Sequence, residues 1–139
     1  MIYAVALLAL SLLAPPASAK PKSQSEGLTV AGMPPVVVQT EPQAGKTDVD
    51  PSLSEIKVTF SKPMQDGNWA FVQINKQHYP QTTGRPHYLE DGKTCVLPVK
   101  LEPGKCYVLW INKEPYSSFM DAAGHKAVPY LLVFETKAQ

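Results

Sequence analysis

Ile56-Lys57-Val58-Thr59-Phe60 alternates apolar and polar side chains and is stopped by Ser61-Lys62-Pro63. Period-two alternation puts Ile56, Val58 and Phe60 on one face of a strand and leaves Lys57 and Thr59 on a wet face. An antiparallel sheet with a single buried face calls for this pattern. Short apolar segments bounded by turn residues continue on both sides. Upstream, Val36-Val37-Val38 is ended by Glu41 to Gly45. Downstream, Trp69 to Ile74 follows Asp66-Gly67-Asn68, and His87-Tyr88-Leu89, a short edge strand, precedes the Glu90-Asp91-Gly92 turn. Thr94 to Val99 is interrupted by Pro98, which has no N–H for a ladder and so predicts an edge position or a bulge. Glu102-Pro103-Gly104 turns into Cys106 to Ile111, and Pro129 to Thr136 sets Tyr130, Leu132 and Phe134 on one face. About seven strands in roughly 100 residues, with no amphipathic helix, predict an all-β domain of two packed antiparallel sheets. Its expected core is Ile56, Val58, Phe60, Tyr107, Leu109, Leu132 and Phe134.

The N-terminus reads differently. Ala4 to Ala14 is an apolar run, broken by Pro15-Pro16 and followed by Ala17-Ser18-Ala19. An apolar stretch, a breaker and a small-x-small site predict a secretory signal over residues 1–19, cleaved after Ala19. The run is shorter than the roughly 20 residues of a membrane span. No Lys or Arg precedes it, which leaves an uncleaved anchor or a misplaced start codon as the alternative. Residues 20–34 are polar and rich in small residues and predict a flexible leader; the folded domain is expected over residues 35–137. The 139-residue chain carries 13 Lys+Arg against 12 Asp+Glu, a formal charge of +1. With no basic run, it offers no electrostatic footprint for nucleic acid.

Several motifs carry a family resemblance. Thr40-Glu41-Pro42-Gln43-Ala44-Gly45, then Ile56 to Ser61 with Met64, resembles the opening of the SbsA-type bacterial Ig-like domain. Leu101-Glu102-Pro103-Gly104-Lys105-Cys106-Tyr107 is similar to its middle signature. Phe119-Met120-Asp121-Ala122-Ala123-Gly124, followed by Phe134-Glu135-Thr136, is similar to its closing turn and last strand. The resemblance implies an immunoglobulin-like β-sandwich of the kind found in surface-layer and other exported proteins. Each motif also has a structural reason to exist. Gly45 supplies a turn angle that other residues resist. Tyr107 opens a strand after a turn, where its hydroxyl can bond back to nearby backbone. Asp121 can accept N–H bonds in its own turn, closed by Gly124.

Residues able to carry chemistry are few. The histidines, His78, His87 and His125, have no short ligand spacing and read as solvated loop residues, although His78 and His87 could meet across a hairpin. Exported copper carriers of the CopC type resemble the chain in the early Pro-x-x-Gly and the Phe-Ser strand end. That resemblance implies copper held by an N-terminal histidine, whereas the mature chain here is expected to begin with Lys20. Cys95 and Cys106 lie in a chain expected outside the cytoplasm, so a disulfide is open, with one buried and one partly exposed free thiol as the alternative. No Gly-x-Ser-x-Gly elbow exists, and Glu90-Asp91 reads as a solvated turn. Trp69, Tyr79, Tyr88, Trp110 and Tyr116 are candidates for a sugar- or peptide-binding surface, with Trp110 the one expected to be exposed and Trp69 partly buried.

The sequence thus leads to an exported, non-catalytic binding or structural module of the cell envelope. No catalytic, cofactor-binding or metal residue is assigned. The expected partner is an unidentified protein or polysaccharide of the envelope, with no nucleic acid and no membrane span in the mature chain. A copper carrier and a carbohydrate- or protein-binding adhesin are the alternatives.

Overall fold

The structure is a computed structural model that describes residues 13–17 and 27–139. Apart from residues 13–17, the secretory signal expected over 1–19 lies outside the described residues, as does its cleavage point after Ala19. The described chain forms β1 (Val37–Glu41), β2 (Glu55–Phe60), β3 (Phe71–Gln73), β4 (Gln81–Thr82), β5 (His87–Tyr88), β6 (Thr94–Lys100), β7 (Cys106–Ile111) and β8 (Tyr130–Glu135). One sheet runs β1-β2-β6-β4, with β5 also on β6; the other runs β3-β7-β8. All pairings between strands are antiparallel. The fold is the expected all-β, immunoglobulin-like sandwich, with eight strands where about seven were expected. The addition is β4, a two-residue strand with no apolar pattern to announce it.

Alternation becomes packing as expected. Ile56, Val58 and Phe60 of β2 face Tyr107, Leu109, Leu132 and Phe134 of the other sheet, and each of the seven is at most 1% exposed. Burial of such side chains contributes roughly 1.5–3 kcal/mol each. Phe119, from the segment between β7 and β8, completes the core, its ring centroid 5.0 Å from Phe60 and 5.1 Å from Phe71.

The expectation for Pro98 is corrected. It lies in β6, the central strand of its sheet, between β2 on one side and β4 and β5 on the other. The Val99 N–H bonds Ser54 on the β2 side, and the Pro98 carbonyl accepts the Thr83 N–H on the other. The donor that proline lacks would therefore point at the break between β5 and β4, where no ladder bond is lost. Gly84 closes that break, since a Cβ there would lie 3.3 Å from Pro98 Cγ.

Both cysteines are free thiols. Cys95 sits opposite Val58 with its side chain in the core, and burial pushes its thiol up to about 12. Cys106 lies in the other sheet next to the inward-facing Tyr107, so it points outward.

The middle and closing motifs behind the resemblance are joined by hydrogen bonds. The Glu102 N–H donates to the Tyr107 hydroxyl at 2.8 Å, the expected bond from ring to upstream backbone. The Thr136 hydroxyl donates to the Glu102 carbonyl at 2.5 Å and accepts the Lys105 N–H at 3.0 Å, tying the last strand to the same turn. Asp121 Oδ1 accepts the N–H groups of Ala123 and His125, with Gly124 at φ 87°.

Asp121 Oδ2 also meets Lys62 Nζ at 2.5 Å and His125 Nδ1 at 2.8 Å. Lys62 donates further to the carbonyls of Ala31 (2.6 Å) and Met33 (3.1 Å), so the end of the expected flexible leader is fastened to the domain. The Lys62 ammonium, followed by the bonds from His125, holds the Asp121 carboxyl well below the usual carboxylate range. A depressed folded pKa contributes stability that is present above the unfolded carboxylate value, about 4, and is lost as pH falls below it toward the folded value. Thermal melts between neutral and acid pH are expected to fall for the native chain below about pH 4. Asp121→Asn should melt lower at neutral pH and fall less steeply in acid; parallel acid slopes would rule out this role for the pair.

Candidate functional site

The two edges of the sheet β3-β7-β8 are finished differently. At the β8 edge, Gly45 donates to the Val133 carbonyl, Glu135 donates to Lys46, and Val49 donates to Glu135. The turn after β1 therefore covers that edge.

The β3 edge is built differently. Asn112 donates to Ala70, and Val72 stands opposite Trp110, so antiparallel alternation turns the peptide groups of Phe71 and Gln73 away from β7. β3 stops after three residues because Asn75 Oδ1 accepts the His78 N–H at 3.0 Å and turns the chain. The His78 carbonyl then takes the Val108 N–H, and its ring Nδ1 donates to the Cys106 carbonyl at 3.0 Å. On the facing sheet, Gln81 and Thr82 pair with Lys100 and Val99, and Thr83 bonds Pro98, which turns the Thr82 peptide groups outward as well.

Between these edges lies a groove of about 670 Å³ lined by Trp69, Phe71, Tyr79, Thr82, Gly84 and Tyr116, with Leu97 of the core also on its wall. It adjoins a polar hollow of about 560 Å³ that shares Gln73, Tyr79 and Thr82 and carries Lys76, Lys100, Glu102 and Lys105. The Arg85 guanidinium stands 5.1 Å from the centroid of the Trp69 ring, a cation–π distance. Tyr79 donates its hydroxyl to the Phe71 carbonyl at 3.3 Å, and burial raises its phenol pKa. Lys105 bonds Glu102 at 2.8 Å; this raises the lysine pKa and lowers the carboxyl pKa.

Three of the five candidate aromatics are brought together here: Trp69, Tyr79 and Tyr116, the last 65% exposed. Tyr88 donates to the Asn68 carbonyl away from the groove, and burial raises its phenol pKa. Trp110 faces outward as its parity requires, but it is half-buried between Val72 and Leu131 with Lys113 Nζ 5.7 Å from its ring. Phe71, Arg85 and the lysines were not foreseen. Gly84 and Pro86 flank Arg85 and mark a loop, and only recognition of β4 would have placed it beside Trp69.

The histidines are not all solvated loop residues. His87 is exposed, whereas His78 and His125 are partly buried and bonded as described. Among the described residues, no three His, Cys, Asp or Glu side chains are grouped to hold a metal ion. Asp91 organises its turn by accepting the Lys93 and Thr94 N–H groups and the Thr94 hydroxyl. The groove therefore presents aromatic surface, cations and edge peptide groups, which is the chemistry of binding.

Residues 31–136 match the model of a family described as bacterial Ig-like domain. Among solved structures, the chain is similar to the S-layer protein rSbsC(31-844), at 21% identity and TM-score 0.48 over 77% of this chain and 14% of that one. It is likewise similar to surface layer protein SbsC, domains 1-6, at 22% identity and TM-score 0.49, again over 77% of this chain and 14% of that one. None of the curated proteins matches the chain.

Proposed function

Because the chain belongs to the bacterial Ig-like domain family, we propose that it is an exported, non-catalytic module of the cell envelope that holds an envelope partner in the groove between β3 and β4. The observation that carries this reading is the aromatic, cation-flanked groove of about 670 Å³ between the β3 and β4 edges. Support for a non-catalytic role comes from the buried polar groups: Asn112, Asp121 and Thr136 each spend their hydrogen bonds on turns and loops of the fold. Support for export comes from the apolar run and small-residue site of residues 1–19, with the mature chain beginning at Lys20.

Co-sedimentation of the purified mature chain with isolated cell envelopes tests the reading. Saturable binding is expected, weakened by about tenfold, or 1.4 kcal/mol, in the double variant Tyr116→Ala/Arg85→Ala. Both side chains are exposed, so the fold should survive. Equal sedimentation of native and variant chains would overturn the assignment of the groove.

A further inference from the structure

We infer that the occupant of the groove is an extended acidic peptide segment of another protein, which adds to β3 as a fourth strand of its sheet. The inference rests on the groove being the binding place and names what fills it.

Three observations carry it. The β8 edge is covered by Gly45, Lys46 and Val49, while β3 turns the N–H groups of Phe71 and Gln73 outward, where no described backbone group meets them. These donors are two residues apart, the repeat at which an extended chain offers its carbonyls. Beside them, the apolar hollow of Trp69, Phe71 and Tyr116 can receive an alternate side chain of that strand. The third is charge. Arg85 stands over Trp69, while Lys76, Lys100 and Lys105 stand at the other end against a single carboxylate, Glu102. A basic rim of this kind favours an acidic segment and opposes a second copy of the same edge, which would bring Lys76 and Arg85 against their like. A glycan would use the aromatic faces and cations but has no period-two set of carbonyls for the strand donors.

Panning a random peptide library displayed on phage against the full chain tests the inference. Enriched peptides should alternate apolar residues and carry Asp or Glu. Synthetic versions should bind saturably and protect the Phe71 and Gln73 amides from hydrogen exchange. Gln73→Pro removes one outward donor while leaving pairing to β7 intact, and proline is tolerated at such an edge. It should cost at least roughly tenfold in affinity. Lys76→Glu/Lys100→Glu, which touches only exposed side chains, should weaken the same peptides even if the proline variant misfolds. Enrichment of no sequence class would overturn the inference, as would undiminished binding to both variants. So would saturation of the groove by polygalacturonate in place of peptide, or a dimer that Gln73→Pro dissociates. Envelope binding that depends on Tyr116 and Arg85 but not on Gln73 or the lysines would leave the groove assigned and strand addition refuted. Independence from all of them would refute both.

Discussion

Replacing Asn112 by alanine is expected to destabilise the domain by about 3–5 kcal/mol, among the largest effects of any single substitution at a polar residue. Asn112 is fully buried at φ 58° at the end of β7. Its side chain accepts the Phe119 N–H at 2.9 Å and donates to the carbonyls of Phe119 and Ala127 at 2.9 and 3.1 Å. The Phe119 carbonyl keeps the Ala127 N–H as a partner, but the Phe119 N–H and the Ala127 carbonyl would be stranded. Each costs roughly 1–2 kcal/mol, and alanine in the left-handed region adds about 1 kcal/mol. Urea melts measure the sum. Asn112→Gly relieves the backbone penalty but not the lost bonds, so it should recover only about 1 kcal/mol of the deficit. A loss under about 1 kcal/mol for the alanine variant would mean that the segment holding Phe119 does not depend on this side chain.

Phe119→Ala should cost a similar 3–5 kcal/mol. The ring is fully buried against Phe60 and edge-on to Phe71 at 89°. Its removal opens a cavity beneath the wall of the groove, because Phe71 lines that groove. Phe119→Leu should retain most of the stability, at a cost of roughly 1–2 kcal/mol, yet still free the Phe71 ring. Envelope binding by the folded leucine variant should therefore fall further than its stability does. Loss of stability with undiminished binding would separate Phe119 from the groove. Since Asn112 positions Phe119, the two substitutions share one segment and their costs should not add.

The sandwich was legible because alternation along β2, β7 and β8 is a local property, and each expected core residue lies where its parity put it. The turn bonds of Tyr107 and Asp121 were legible for the same reason, since Glu102 for the one and Ala123 and His125 for the other lie within a few residues. What was missed depends on distant pairing. Pro98 looked like an edge marker because the sequence does not say that β4 and β5 meet β6 at different places and leave a break between them. Asn112 carries no pattern; its importance comes from loops it reaches only after folding. Lys62 read as the end of a strand, yet it joins Asp121 to the carbonyls of Ala31 and Met33. The groove was half legible: Trp69, Tyr79 and Tyr116 were candidates by residue type, while Trp110, singled out by parity, faces outward elsewhere. Nothing local relates Trp69 to Tyr116; they meet only once β3 pairs with β7 and sets the start of one strand beside the turn that follows the other.

Residue-resolved amide hydrogen exchange on the free chain bears most directly on whether the β3 edge is open. The Phe71 and Gln73 amides should exchange nearly as fast as unstructured peptide, while the Val49 and Glu135 amides at the covered β8 edge stay protected along with those of β6 and β7. Strong protection of Phe71 and Gln73 in the absence of any partner would mean that the β3 edge is already filled, and the groove would have no place for an added strand.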